Sequence, residues 1–324
     1  KGYDGQVFAS GGHAVTYAGF IPGETASVLG GSLTYGGAAA TALNVGQHAI
    51  TPAGLTSANY AITFLDGKLS ITPRTLIIQA KDDSKVYGTA KTYGTSLAFT
   101  SQGLVTGQSI GSVTITPSGG ATAASPVGTY DLVPTAASGG TFLASNYDIT
   151  YQKGTLTVSS FTVTGSFVAT NKTYDGTTTA AVTIRSLTGV RSGDVVELTG
   201  GTAAFESAGV GSGKRVFLTG ATLTGANAGN YVLSTVNSSS ANITAKELTV
   251  GDLSASNKTY DGTSVATITG TALLQGKVGN DDVSLSGTAV GAFANAGAGS
   301  SKPVNITGLS LSGAAAGNYT LTPP

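Results

Sequence analysis

One short stretch keeps returning along this chain. Asn171-Lys172-Thr173-Tyr174-Asp175-Gly176-Thr177 recurs as Asn257-Lys258-Thr259-Tyr260-Asp261-Gly262-Thr263. Shorter forms are Lys1-Gly2-Tyr3-Asp4-Gly5 and Lys85-Val86-Tyr87-Gly88-Thr89. A second landmark, an Asn-Tyr pair, falls late in each copy: Asn59-Tyr60, Asn146-Tyr147, Asn230-Tyr231 and Asn318-Tyr319. The first tyrosines lie 84, 87 and 86 positions apart, the second 87, 84 and 88. Two landmarks that hold one period make the chain a repeat array. Solenoid coils repeat every ~20–50 residues and cannot fold singly. A unit of this longer period can bury roughly 60% of its own chain surface. The period therefore predicts four small domains in series: 1–73 without its first strand, 74–158, 159–244, and 245–324 without its last strand.

The repeats fall into two pairs. In the first pair Gly19-Phe20-Ile21-Pro22-Gly23 matches Gly103-Leu104-Val105-Thr106-Gly107, and His48 stands where the second repeat has Tyr130. In the second pair Phe205 matches Phe293, and Ala228-Gly229-Asn230-Tyr231 matches Ala316-Gly317-Asn318-Tyr319. Short β-branched runs such as Thr75–Ala80, Ser112–Thr116, Thr155–Val158 and Val216–Thr219 alternate apolar residues with Thr between Gly, Asn, Asp or Pro. That is how strands with one wet face read. The fold class is all-β, with an Ig-like sandwich favoured for each repeat and a β-grasp-like unit as the alternative. A single helical turn is expected at most, at Gly103–Gly107 or Leu187–Asp194. No Gly/Ser linker separates the repeats; one repeat's last strand leads within a few residues into the next repeat's first. Tight joints predict an end-to-end rod. Both ends read as cut from a longer array.

Composition narrows the setting. Charged residues are 10% and formal net charge is zero, which removes the electrostatic case for nucleic acid and the polybasic route to membranes. No run of about 20 apolar residues exists to span a bilayer. There is no Cys, Met or Trp, so neither a disulfide framework nor a thiol nucleophile or ligand is available. Cysteine-free β-repeats suit a large bacterial surface or secreted protein that folds outside the cell.

The chemistry-bearing residues do not assemble a site from sequence. The Lys-x-Tyr-Asp-Gly stretch reads as a turn with a packed tyrosine whose hydroxyl bonds to backbone; the alternative is a repeated ligand contact. Lys1, Lys85, Lys172 and Lys258 with Asn59, Asn146, Asn230 and Asn318 raise a Lys–Asn isopeptide bond, with Asp4, Asp175 or Asp261 as its acid; the second repeat has Gly88 in that place. His48 reads as an aromatic substitute, and His13 sits in a Gly-rich turn. Two histidines make no metal box. Asp82-Asp83 and Asp281-Asp282 could ligate calcium, although neither the EF-hand nor the nonapeptide pattern is present. Arg191-Ser192-Gly193-Asp194 is not an Arg-Gly-Asp signal. No catalytic triad, phosphate loop or dinucleotide fingerprint can be drawn. No catalytic, cofactor, metal or ligand residue is assigned, and the chain reads as a non-enzyme without cofactors.

Taken in order, the run from Lys85-Val86-Tyr87-Gly88 to Gly154-Thr155-Leu156-Thr157-Val158 resembles the MBG repeat, and the first repeat is similar. The third and fourth repeats, which carry Lys172–Gly176 and Lys258–Gly262, resemble the YDG repeat of filamentous-haemagglutinin-like proteins. The resemblance implies a large bacterial adhesin, exported by a two-partner system; CdrA-type biofilm-matrix adhesins carry such repeats and bind exopolysaccharide. On that footing the chain is a stalk of a secreted or surface-anchored adhesin. It projects an adhesive region toward extracellular polysaccharide or a neighbouring cell and is anchored through other parts of the chain. The alternative is that the repeats themselves bind glycan.

Overall fold

The computed structural model describes residues 1–9 and 14–323; His13 lies outside them. Strands and five 3-10 turns make up the regular structure, with no α-helix among the described residues. A β-grasp-like unit needs a helix laid across its sheet, so the two-sheet reading fits better. The chain divides into two compact units, 1–160 and 161–324. Each contains two of the sequence repeats.

Repeats 2 and 3 show the plan. In repeat 2 a central strand, Arg74–Ala80, pairs parallel with Tyr147–Gln152 and antiparallel with Phe99–Gln102. Facing it is a five-stranded sheet whose middle is Gly128–Gly140 between Gly154–Ser159 and Ile110–Pro117. Repeat 3 repeats the scheme with Phe161–Ala169 as the central strand, parallel to Tyr231–Val236 and antiparallel to Val182–Thr188. Repeat 4 does so with Lys246–Ala255, Tyr319–Thr322 and Ile268–Gln275. Repeat 1 has one sheet among its described residues, Gly30–Gly36, Gly46–Thr56 and Gly67–Ile71.

The alternation seen in sequence is the alternation of burial. Leu76, Ile78 and Ala80 point inward from the central strand of repeat 2 and meet Val113, Ile115, Leu132 and Leu156 of the facing sheet. Fully burying one such side chain stabilises by about 1.5–3 kcal/mol. Val163 and Phe167, then Leu248 and Val250, do the same in repeats 3 and 4. On the wet faces Ser and Thr pair across strands: Ser166 with Ser186 at 2.7 Å, and Ser286 with Ser310 at 2.9 Å. Such pairs stabilise a sheet without burying anything.

The 3-10 turns fall where sequence did not place them. Gly103–Gly107 forms a plain turn. The 3-10 turns are instead Ala144–Asn146, Ala228–Asn230 and Ala316–Asn318, each delivering the second tyrosine directly into a strand. Repeat 1 carries two more, Ala26–Val28 and Ala38–Thr41.

The inter-repeat joint as candidate functional site

The recurring Lys-x-Tyr-Asp-Gly stretch lies beside the last strand of its own repeat. The amide of Tyr3 donates to Thr72 O at 2.9 Å, and that of Tyr174 to Thr244 O at 2.8 Å. Those threonines lead into the first strands of repeats 2 and 4. The Asn-Tyr corner of the following repeat arrives at the same place, because Tyr147 is in register with Arg74 and Tyr319 with Lys246. Topology thus brings the early tyrosine of one repeat against the late tyrosine of the next. Tyr3 meets Tyr147 edge to face with ring centroids 5.4 Å apart, and Tyr174 meets Tyr319 at the same 5.4 Å. Such pairs add about 0.5–1.5 kcal/mol beyond their burial.

A polar set closes each of these two joints. Tyr147 Oη accepts from Val105 N at 3.1 Å and donates to Gln108 Oε1 at 2.6 Å, while Gln108 Nε2 donates to Tyr3 Oη at 2.7 Å. In the second joint Tyr319 Oη accepts from Val278 N at 3.0 Å. Both Tyr319 and Tyr174 donate to Asp281 Oδ2, at 2.6 and 2.8 Å. The acceptor sits three residues after the donating amide in both. The same spacing recurs within repeat 1, where Tyr60 accepts from Ile21 N and donates to Glu24, and within repeat 3, where Tyr231 accepts from Arg191 N and donates to Asp194. The asparagine before the late tyrosine crosses back as well. Asn146 Oδ1 accepts from Val45 N and its Nδ2 donates to Asn44 Oδ1, both at 2.9 Å; Asn318 Oδ1 accepts from Val210 N at 2.9 Å.

The glycine of the turn serves the joint too. Gly5 has φ 74° and Gly176 φ 77°, where side chains are strained. A Cβ on Gly5 would lie 2.7 Å from Val105 Cγ1, and one on Gly176 3.1 Å from Val278 Cγ1. The turn therefore presses on the residue whose amide holds the late tyrosine.

The lysine and aspartate stabilise the turn itself. Lys172 Nζ binds Asp175 Oδ1 at 2.7 Å and Thr177 O at 2.7 Å; Lys258 repeats this with Asp261 and Thr263 O. The lysine hydrogen bond is the main cause that holds both carboxyls down to about 2. Lys1 binds Asp4 and Gln6 O. In repeat 2, where Gly88 stands in place of the motif's aspartate, the buried Lys85 donates instead to Thr89 O at 2.8 Å and Thr122 O at 2.5 Å. Every repeat thus has the lysine on a carbonyl, and three add the carboxylate. Lys172 and Lys258 also lie over Phe205 and Phe293, 5.6 and 5.9 Å from the ring centroids.

Several sequence readings are revised. In repeats 1 and 3 the early tyrosine hydroxyl bonds to a side chain of the neighbouring repeat, not to backbone. Lys85 and Lys258 bond within their own repeats while Asn146 and Asn318 bond across to the neighbouring repeat, so these two Lys–Asn pairs lie in separate networks. The acidic pairs are hydrogen-bond acceptors: Asp82 takes Thr155 N, Asp83 takes Lys91 and Tyr93, and Asp282 takes Ala314 N. No cluster of three or more His, Cys, Asp or Glu suited to a metal exists among the described residues. His48 does replace Tyr130: its Nε2 meets Asn44 O at 2.9 Å, as Tyr130 Oη donates to Pro126 O at 2.9 Å. Among the described residues no buried side-chain polar atom lacks a partner. No helix of the described residues is long and apolar enough to cross a membrane.

Comparison with known proteins agrees with the two pairs of repeats. The YDG domain family model matches residues 157–239 and 244–324, just over half of the chain. The MBG domain (YGX type) model matches 9–70 and 76–157. No curated protein matches the chain. Among solved structures, the crystal structure of Drosophila N-cadherin EC1-4 is similar at 8% identity and TM-score 0.20. That match covers 86% of this chain and 83% of that one, and the likeness is too low to bear on the fold.

Proposed function

Because this chain belongs to the YDG domain family and carries MBG domains in its first half, we propose that it is a non-catalytic stalk segment of an extracellular, surface-attached bacterial adhesin. MBG and YDG domains are typical of repeat regions in surface proteins. One observation carries the reading: in each compact unit the early tyrosine of the first repeat and the late Asn-Tyr pair of the second are spent on joining the two repeats. A binding module would be expected to spend some of them on a shared, solvent-facing cleft. A spacer instead needs joints that resist bending, and paired aromatics closed by hydrogen bonds supply that stiffness. Contact with extracellular polysaccharide or a neighbouring cell then belongs to other parts of the adhesin.

The test is a glycan array probed with the purified 324-residue chain, beside competition of the same chain against attachment of the cells that bear the adhesin. A stalk gives no saturable glycan binding and no competition. Saturable binding that is lost on mutating exposed aromatics such as Tyr260 or Tyr17 would replace the stalk with a glycan-binding module.

A further inference from the structure

The Lys-x-Tyr stretch also forms the first strand of a parallel pair with the last strand of its own repeat. In repeat 2 Asp83–Val86 runs parallel to Gly154–Ser159, with Asp83 opposite Leu156 and Val86 opposite Ser159. The Tyr87 amide donates to Ser159 O at 2.8 Å, and Ser159 Oγ donates to Lys85 O at 3.1 Å. In repeat 3 Lys172–Thr173 runs parallel to Ser239–Thr244, and Thr244 Oγ1 donates to Lys172 O at 3.3 Å. In repeat 1 a parallel bridge joins Gly2 to Thr72, whose amide donates to Lys1 O at 3.0 Å.

Chain direction gives these pairs a mechanical consequence. Tension along the chain reaches the repeat 2 pair from the N-terminal side of Asp83 and leaves it from the C-terminal side of Ser159. In a parallel pair those two points are opposite ends. The strands are then drawn past each other along their length, and the hydrogen bonds between them are loaded together. In an antiparallel pair the same two points would share one end, and the bonds would break one at a time. Little slack lies outside the pairs: the next repeat's first strand begins at Arg74, Phe161 or Lys246, two residues after Thr72, Ser159 or Thr244. The first strand of the repeat 2 pair is also tied to a third segment. Lys85 reaches Thr122 O, Gly88 N donates to Ala123 O at 3.0 Å, and Lys91 N donates to Ala121 O at 2.9 Å. The second strand is held by the core, since Leu156 and Val158 are buried.

We propose that each such pair is a tension clamp, the element that sets the force at which its repeat unfolds when the chain is pulled along its length. This deepens the stalk reading and rests on it for the source of the tension, an adhesive region pulling against an anchored cell. The two readings fail separately, because glycan binding by the chain says nothing of the force at which it unfolds.

The test is single-molecule pulling on two variants of the 324-residue chain, which has no cysteine of its own. Lys81→Cys with Ser160→Cys puts handles before the first strand and after the second, and loads the repeat 2 pair lengthwise. Ala90→Cys with Ser160→Cys moves the first handle past the same strand, to the shared end, and peels the pair open. All three positions lie outside the paired residues. At equal load the peeled pair is expected to open at least about tenfold faster, the effect of bearing the load on one hydrogen bond instead of several. The unmodified chain pulled from its two ends should resist as the first variant does. It should then release the residues between the paired strands, 87–155 in repeat 2, in one step of about 230–250 Å. Equal opening rates for the two variants, faster opening in the lengthwise one, or release of the unmodified chain in small steps at the force of the peeled variant would each overturn the clamp.

Discussion

At the scale of single residues, Asn146 joins two repeats most directly. It is 1% exposed, and its amide bonds both Val45 N and Asn44 Oδ1. Asn146→Ala leaves a backbone donor without its partner, which costs about 1–3 kcal/mol. Denaturant unfolding of the full chain should show a loss of that size for the transition of residues 1–160, with the m-value of that transition unchanged. Tyr174 offers a pH test. Its hydrogen bond to Asp281, helped by burial, pushes its pKa up to about 12 from an ordinary 10.0. A tyrosine whose folded pKa is raised stabilises the fold fully below pH 10 and loses that contribution as pH rises through 12. Tyr93 is raised to about 12 as well, by burial first and by Asp83 second. Absorbance of tyrosinate should therefore rise in two parts, the later part between pH 10 and 12 and together with loss of β-sheet circular dichroism. A single titration near 10 with the sheet intact would refute the buried hydrogen-bonded assignment.

At the scale of strands and turns, the central strand of each complete repeat fixes how closely its neighbour approaches. Gly103 and Gly19 have nearly the same φ, 100° and 97°, so Ala at either site carries the same backbone strain, about 1 kcal/mol. Only Gly103 also has a carbonyl in the way, Thr75 O at 2.3 Å. Gly103→Ala should therefore destabilise the chain by clearly more than Gly19→Ala, measured as paired denaturation curves; equal losses would remove the close approach from the account. Much at this level was legible in the residues. The alternation of Thr75-Leu76-Ile77-Ile78-Gln79-Ala80 with polar neighbours gave a half-buried strand, and the turn chemistry of Asp-Gly gave the left-handed glycine. The 3-10 turns before each late tyrosine were not legible. Ala-Ser-Asn and Ala-Gly-Asn have no periodicity, and a single turn held by the following strand leaves no pattern. The partners of Tyr3 and Tyr174 were hidden for a different reason: Gln108 and Asp281 lie more than a hundred positions away, and only the parallel pairing of first and last strands brings them near. The fixed three-residue spacing from Val105 to Gln108 and from Val278 to Asp281 was in the sequence, but without the fold nothing marked it.

At the scale of the whole molecule, each compact unit is two repeats with a continuous apolar cluster. Tyr3, Tyr147, Leu76 and Leu156 belong to one cluster, and Tyr174, Tyr319, Leu248 and Ile243 to the other. Within each unit the landmark that marks the start of its first repeat, Tyr3 or Tyr174, is thus also the contact that fastens that repeat to the next. Tyr260 is the contrasting case: it occupies the same place in repeat 4 as Tyr174 in repeat 3 and is 67% exposed, against 7% for Tyr174. The most direct test of the joint is a double-mutant cycle of Tyr174→Phe and Asp281→Asn in the full chain, with Tyr260→Phe as the reference substitution. Stability is read from native-state hydrogen exchange in the strand Lys246–Ala255. The joint predicts a coupling of about 1 kcal/mol or more between Tyr174 and Asp281, as for hydrogen bonds to a charged partner, and a change within about 0.5 kcal/mol for Tyr260→Phe. Additive single effects, or a loss at Tyr260 as large as at Tyr174, would contradict it.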